Sequence, residues 1–382
     1  MSSQSFHVLL DLPTDLVCLI LSEWVDLKGL SAVDVAFCNH DKRPLLLTTI
    51  SSEQFVCKAV CLNHTNSISW MTKRSIRHSK CCANSNMLDF LEYVKKFGTY
   101  VELVTIIRPQ MEENGMKNMA KALLHCVSLK SLEVLHAEVC QELLDAISSC
   151  SSIRELRVVD LEPSQDEYPS LTANNVAPLQ LTTLSLEDEG ACHAEILEMA
   201  SPPALQALGV SLSEDFGAKA LCKYLSAGCS LKALCMTGGP SNNDFISLLE
   251  LCPDLRHLDI DCYMMTEECV PELATLLTRI QLEVLRLDWC SFAGPLLSTL
   301  AELGCETLTM LFLDTCTFEN SDLNNISRCC KGLTHLRFSL CNKQHLHGTD
   351  WHQLTNLTHL NLGQNLNSDI DENTILEYIA NY

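Results

Sequence analysis

The chain has 382 residues, with 26 Lys and Arg against 48 Asp and Glu, a formal charge of −22. A field of that sign repels phosphate backbones and anionic bilayers, so neither nucleic acid nor a membrane surface is expected as a partner. Apolar residues make up 47% of the chain, enough for a large core.

The first residues, MSSQSFHVLLDLPTDL, lack a basic segment, and their apolar stretch is broken by Asp11, Pro13 and Asp15. They read as neither signal peptide nor membrane span, which points to a reducing cytoplasmic or nuclear setting. Three short helices are predicted within residues 1–50. Pro13 suits a first turn, Asp15 puts negative charge at its positive end, and Val17, Ile20, Leu21 and Trp24 share a face. Asp26 is placed to cap a second helix carrying Leu30, Val33 and Phe37, and Pro44 to open a third with Leu45, Leu46 and Leu47. So small a core usually needs a docked neighbour.

This segment resembles an F-box. Leu12-Pro13, Asp15 and the pair Ile20-Leu21 match the start of that motif, and Leu27, Leu30, Val33 and Cys38 its middle. The Trp common later in the motif has no counterpart between Asn39 and Arg43. The resemblance implies contacts to a Skp-type adaptor of a cullin complex from Leu12, Pro13, Ile20, Leu21, Leu30 and Val33. The alternative is that these helices only cap the repeats that follow.

Residues 51–95 read as a linker or degenerate capping repeat, with Ile68 to Met71 and Ile76 as its remnant. Lys73, Arg74, Arg77, His78 and Lys80 form a basic cluster, expected to be a solvated face or a docking site for something acidic. Met87, Phe90, Leu91 and Val94 mark one face of a helix.

From residue 96 to 366 one pattern recurs: apolar, two variable, apolar, one variable, apolar. It reads VELVTI from Val101, LKSLEV from Leu129, IRELRV from Ile153, LTTLSL from Leu181, LQALGV from Leu205 and LKALCM from Leu231. LRHLDI from Leu255, LEVLRL from Leu282, LTMLFL from Leu308, LTHLRF from Leu333 and LTHLNL from Leu357 follow, successive starts lying 24 to 28 residues apart. The alternating end of each copy predicts a short strand, and the stretches between them, such as 115–124, 244–249 and 272–277, have helical periodicity. One strand and one helix cannot bury their own apolar side, so neighbours must stack. The expected fold is α/β: a curved parallel sheet roughly 50 Å long inside, at about 4.8 Å per strand, with helices outside. Residues 367–382 read as a capping helix carrying Ile375, Leu376 and Ile379.

The repeat resembles the cysteine-containing leucine-rich repeat. Cys290, Cys316 and Cys341 lie three residues past the last apolar position of their copies, and Cys126, Cys150, Cys252 and Cys305 three before the next. The resemblance implies buried thiols lining the turns. No CxxC pair exists among the 22 cysteines, so neither metal nor any other cofactor is expected.

Variable positions of each copy project from the open, concave face. Early copies offer weak anchors such as Ser131, Thr183, Ala207, Gly209 and Ser211. Later ones offer His257, Asp259, Asp261, Arg286, Asp288, Trp289, Phe312, Asp314, His335, Arg337 and His359, a set suited to a target protein. Asp261, Asp288 and Asp314 share a column, expected either to receive a basic or mixed-charge segment of a partner or to be a solvated row. No GxxxxGK[ST], GxSxG or HExxH occurs, so no catalytic residue is expected. An F-box-like segment directly before leucine-rich repeats implies a substrate-recognition subunit of a Skp/cullin/F-box ubiquitin ligase. The alternative is a ligase-independent scaffold or inhibitor.

Overall fold

A computed structural model describes residues 9–25, 27–38, 41–57, 65–83, 87–107, 115–160, 162–163, 178–187, 193–212, 218–239, 241–316, 320–339 and 353–361. The chain forms two compact units, one of residues 1–181 and 190–201 and one of residues 182–189 and 202–382. The expected C-terminal capping helix, Cys341 and the last residue of the eleventh copy lie outside the described residues.

The first unit opens with helices α1 (Thr14–Trp24), α2 (Leu27–Ala36) and α3 (Arg43–Ser51). Pro13 precedes the first and Pro44 lies in the first turn of the third, where a missing N–H costs nothing. Leu21, Leu30, Phe37, Leu46 and Ile50 fill their shared interior. Two-residue strands β1 (Val56–Cys57) and β2 (Arg77–His78) pair in parallel. Then come β3 (Lys80–Ala83), β4 (Leu103–Ile107), β5 (Ser131–Leu135), β6 (Glu138–Val139), β7 (Glu155–Val159) and β8 (Glu162–Pro163). β3, β4, β5 and β7 form a parallel ladder, while β6 and β8 pair separately. Helices Met87–Phe97, Gly115–Leu123 and Gln141–Ser149 alternate with the ladder strands. The remnant placed at Ile68 to Met71 is helical, within Thr65–Arg74, so β3 and the helix after it supply the strand–helix unit ahead of the first motif copy.

The basic cluster is not a solvated face. Asp34, 2% exposed, receives Arg43 Nη2 at 3.2 Å and Arg74 Nε at 2.5 Å. Arg74 also lies 5.2 Å over the Trp70 ring. Arg77 donates to the carbonyls of Ser51 and Ser52 at the end of α3 and lies over Phe97 and Tyr100. His78 is buried, its Nδ1 accepting the Lys80 N–H at 2.9 Å. Only Lys73 and Lys80 of the cluster are exposed. These cations fasten the helical module to the first strand–helix units, a long-range pairing that sequence spacing does not reveal.

The second unit holds β9 (Thr183–Glu187), β10 (Ala207–Ser211), β11 (Ala233–Thr237), β12 (His257–Asp261), β13 (Val284–Asp288), β14 (Met310–Asp314), β15 (His335–Ser339) and β16 (His359–Asn361). They pair in parallel in chain order. Each full strand runs from the third to the seventh position of its motif copy. The first, fourth and sixth positions face inward: Leu255, Leu258, Ile260, Leu282, Leu285 and Leu287 are at most 1% exposed. Helices such as Asn242–Glu250, Val270–Arg279 and Ala293–Leu303 cover that side with Leu248, Leu249, Leu273, Leu277, Leu296 and Leu300. At the other end of the described stack Leu357 and Leu360 are only half-buried.

Six copies leave their strand through the same turn. His136, Asp160, Gly238, Cys262, Trp289 and Thr315, all at the eighth motif position, have φ between 49° and 74°. The ninth position points back inward. Cys290 and Cys316 sit there, buried, each with a carbonyl 3.3 Å away in its own turn. Tyr263 holds this position in the preceding copy, and its ring lies where a Cβ of Gly239 would be, 1.8 Å from Cδ2. The repeat thus fits a bulky side chain by deleting one next to it. Phe245 and Phe292 flank that ring at 5.0 and 5.9 Å.

Cys126, Cys150, Cys252 and Cys305 are also buried, as is Cys330, which occupies the same offset before its copy. Burial pushes the thiols of Cys126, Cys252 and Cys290 up to about 12 and that of Cys150 to about 11, because a thiolate there loses its hydration. Iodoacetamide at pH 8, read by peptide mass spectrometry, is therefore expected to label exposed Cys38 quickly and Cys126, Cys252 and Cys290 only after unfolding. Among the described residues no His, Cys, Asp or Glu cluster is arranged to hold a metal ion. No helix among them is long and apolar enough to cross a membrane.

Candidate protein-binding surfaces

Helix α1 is apolar on both sides. Val17, Cys18 and Leu21 face the module interior. On the solvent side Leu12, Leu16, Leu19 and Trp24 are 37%, 42%, 55% and 83% exposed. Leu16 and Leu19 share one side of the helix with Ile20 half-buried beside them, while Leu12 precedes the helix and Trp24 ends it. Val35 and Leu45, on α2 and α3, are exposed as well.

Of the six residues expected to meet an adaptor, Leu12 and Pro13 lie at the surface and Ile20 at its margin. Leu21, Leu30 and Val33 fill the core of the three-helix module. By spacing Val17, Ile20, Leu21 and Trp24 share a face, but only Val17 and Leu21 are buried: Ile20 is half-buried, and Trp24, the last residue of α1, is 83% exposed. Leu16 and Leu19, on the other side of α1, are exposed as well, and helical spacing would have yielded them had both sides been scored.

The second surface is the open side of β12 to β15. Register places Asp261, Asp288, Asp314 and Ser339 opposite one another at the seventh position, and Asp259, Arg286, Phe312 and Arg337 at the fifth. His257, Val284, Met310, His335 and His359 line the third, where the rings of His335 and His359 stack at 4.2 Å and 7°. His257, His359 and Trp289 are exposed, and Asp259, Asp261, Arg286, Asp288, Phe312, His335 and Arg337 are half-buried.

Asp314 departs from its column. It is only 6% exposed because two arginines enclose it, Arg286 Nη2 at 3.7 Å and Arg337 Nε at 3.3 Å. Arg286 also reaches Asp259 at 3.8 Å. Among the described residues no cation lies within 4 Å of Asp261 or Asp288, and Oδ1 of each is buried without a hydrogen-bond partner. Desolvation raises the Asp288 carboxyl, and Asp261 and Asp314 add to the rise, against the pull of Arg286 and the Trp289 N–H. Asp259 is raised too, chiefly by desolvation, against the pull of Arg286. Two apolar neighbours escaped the periodic reading: Met264, 81% exposed past the turn of β12, and Cys262, exposed in that turn.

Replacing Asp288 by Asn is expected to stabilise the fold by about 1 kcal/mol at pH 7, the repulsion of two carboxylates on adjacent strands. The folded-state pKa lies above the unfolded one, so the folded chain takes up this proton first. The cost is absent below the ordinary value of 3.8 and complete above the raised one. Thermal melts of both proteins should therefore differ at pH 7 and converge as the pH falls towards 4.

No family model matches the chain, and no curated protein matches it in sequence. Solved structures do. The crystal structure of the Rad7 and Elc1 complex in yeast matches with a TM-score of 0.53 at 12% identity, over 93% of this chain and 93% of that one. That of a TLR13–ssRNA13 complex matches with a TM-score of 0.46 at 17% identity, over 76% of this chain but only 39% of that one. The fold is a leucine-rich-repeat solenoid. Across the varying motif spacing the five-residue strands of each unit keep register.

Proposed function

We propose that this chain is the substrate-recognition subunit of a cullin-type ubiquitin ligase. The exposed apolar residues on and beside α1 hold a small adaptor, and the open sheet face holds the target. The observation that carries this reading is that Leu12, Leu16, Leu19 and Trp24, on and beside α1, are exposed although the interior of the module is already filled. Such side chains cost solubility unless a partner covers them, and burying each large one contributes roughly 1 kcal/mol or more to binding. The F-box-like residues of the same segment name a Skp-type adaptor. Rad7, similar in fold over nearly its whole length, was crystallised in complex with Elc1. Elc1 is therefore the second partner to try. In this reading the chain contributes proximity between target and transfer machinery, and no chemistry of its own.

The alternative is a ligase-independent scaffold, in which the helices only close the end of the repeats. Affinity purification of the full chain, beside a Leu16→Glu/Leu19→Glu variant, separates the two. The ligase reading expects an adaptor and a cullin with the parent chain and neither with the variant. Recovery of target proteins without any adaptor leaves the scaffold.

A further inference from the structure

On the reading that the β12–β15 face takes a partner protein, we propose that the segment it takes is basic, and that an arginine of that segment lies between Asp261 and Asp288 against Trp289. Charge complementarity on this sheet face selects the occupant. The fifth and seventh positions of β12 to β15 hold four carboxylates, Asp259, Asp261, Asp288 and Asp314, against two guanidinium groups, Arg286 and Arg337.

The two arginines are committed. Each faces Asp314, and Arg286 also faces Asp259. Their Nε atoms lack a hydrogen-bond acceptor, but each group already has a carboxylate within 4 Å. An acidic or phosphorylated segment would have to break those pairs. Asp261 and Asp288 make the opposite demand. They are neighbours in register; among the described residues neither has a cation within 4 Å, Arg286 acting on Asp288 only from farther off, and each keeps a buried oxygen without a donor. A buried acceptor of this kind is costly until a donor arrives, and a cationic donor relieves the mutual repulsion as well.

Trp289 selects among cations. It directly follows Asp288, is 62% exposed, and stands in the left-handed turn where the copy two repeats earlier has Gly238. A planar guanidinium can stack on the indole while its N–H groups reach both carboxylates, which a compact ammonium does less well. Met264, 81% exposed beyond the neighbouring turn, offers an apolar contact for the arginine stem.

The test uses the full chain carrying 5-fluorotryptophan, with the Trp289 resonance assigned by loss in Trp289→Phe. The probes are the acetylated peptides Gly-Arg-Gly-Arg-Gly, Gly-Lys-Gly-Lys-Gly and Gly-Glu-Gly-Glu-Gly at physiological salt. The arginine peptide should shift the Trp289 resonance saturably and bind more tightly than the lysine peptide. In Asp261→Asn/Asp288→Asn its affinity should fall at least tenfold, and the glutamate peptide should leave the resonance unmoved. Asn keeps shape and removes charge, so folding survives, and the remaining tryptophan resonances check it. Arginine-peptide binding unchanged in the double variant, or a shift caused by the glutamate peptide, would overturn the proposal. Either result leaves the adaptor reading standing, because that reading is decided by α1 alone.

Discussion

Leu285→Ala is expected to destabilise the second unit by about 4 kcal/mol, near the upper end for a buried leucine whose surroundings cannot collapse. Leu285 is 0% exposed at the centre of β13, in register with Leu258 on one side and Leu311 on the other. The parallel ladder fixes the backbone on both sides, so the removed methyl groups leave a void that neighbouring strands cannot close. In a stacked array each unit is stabilised mainly by its neighbours, so the loss should spread along the ladder. Leu360→Ala, in the half-buried β16, serves as control and should cost under about 1.5 kcal/mol, since little transfer or cavity cost remains there. Urea unfolding followed by far-ultraviolet circular dichroism measures both. Equal losses at the two sites would mean that the interior is not the shared, rigid stack described.

Asp34→Ala is expected to cost about 2–3 kcal/mol in the first unit. Removing one partner of a buried pair commonly costs 3–5 kcal/mol, and here Arg43 and Arg74 keep 32% and 26% exposure, which softens the penalty. The residue joins α2 to α3 and to the helix Thr65–Arg74, so its loss should loosen the whole three-helix module. Hydrogen exchange should rise in α1 to α3 while β12 to β15 stay protected. Adaptor capture should weaken in parallel, although Asp34 is not on α1. A variant with unchanged exchange in α1 to α3 would show that the ion triad does not fasten the module.

The repeats were legible because their signal is redundant. Eleven copies vote on one strand position, and a five-residue strand with inward fourth and sixth side chains leaves little room for error. The open face followed from the same arithmetic, down to the opposition of Asp261, Asp288 and Asp314. What could not be read was who neutralises whom. Arg286 and Arg337 both turn to Asp314 and bury it, leaving Asp261 and Asp288 exposed to each other's charge. Side-chain choice of that kind depends on packing across strands, not on spacing along them. The N-terminal module failed differently. Its helices are placed correctly, but with three short helices and no repetition, helical periodicity alone assigned Trp24 to the inside. The basic cluster beside Trp70 read as surface because Asp34, forty residues earlier, gives no hint in sequence that it will be buried among those arginines.

The account rests most heavily on α1 and the open sheet face being separate binding surfaces, one for an adaptor and one for a target. Calorimetric titration of purified Skp-type adaptor, and in parallel of Elc1, into the full chain tests this directly. One of the two should bind the parent and the Trp289→Ala variant with one-to-one stoichiometry and equal affinity, and should fail to bind Leu16→Glu/Leu19→Glu. Binding of neither protein, or a complex that survives Leu16→Glu/Leu19→Glu and is lost with Trp289→Ala, would contradict it.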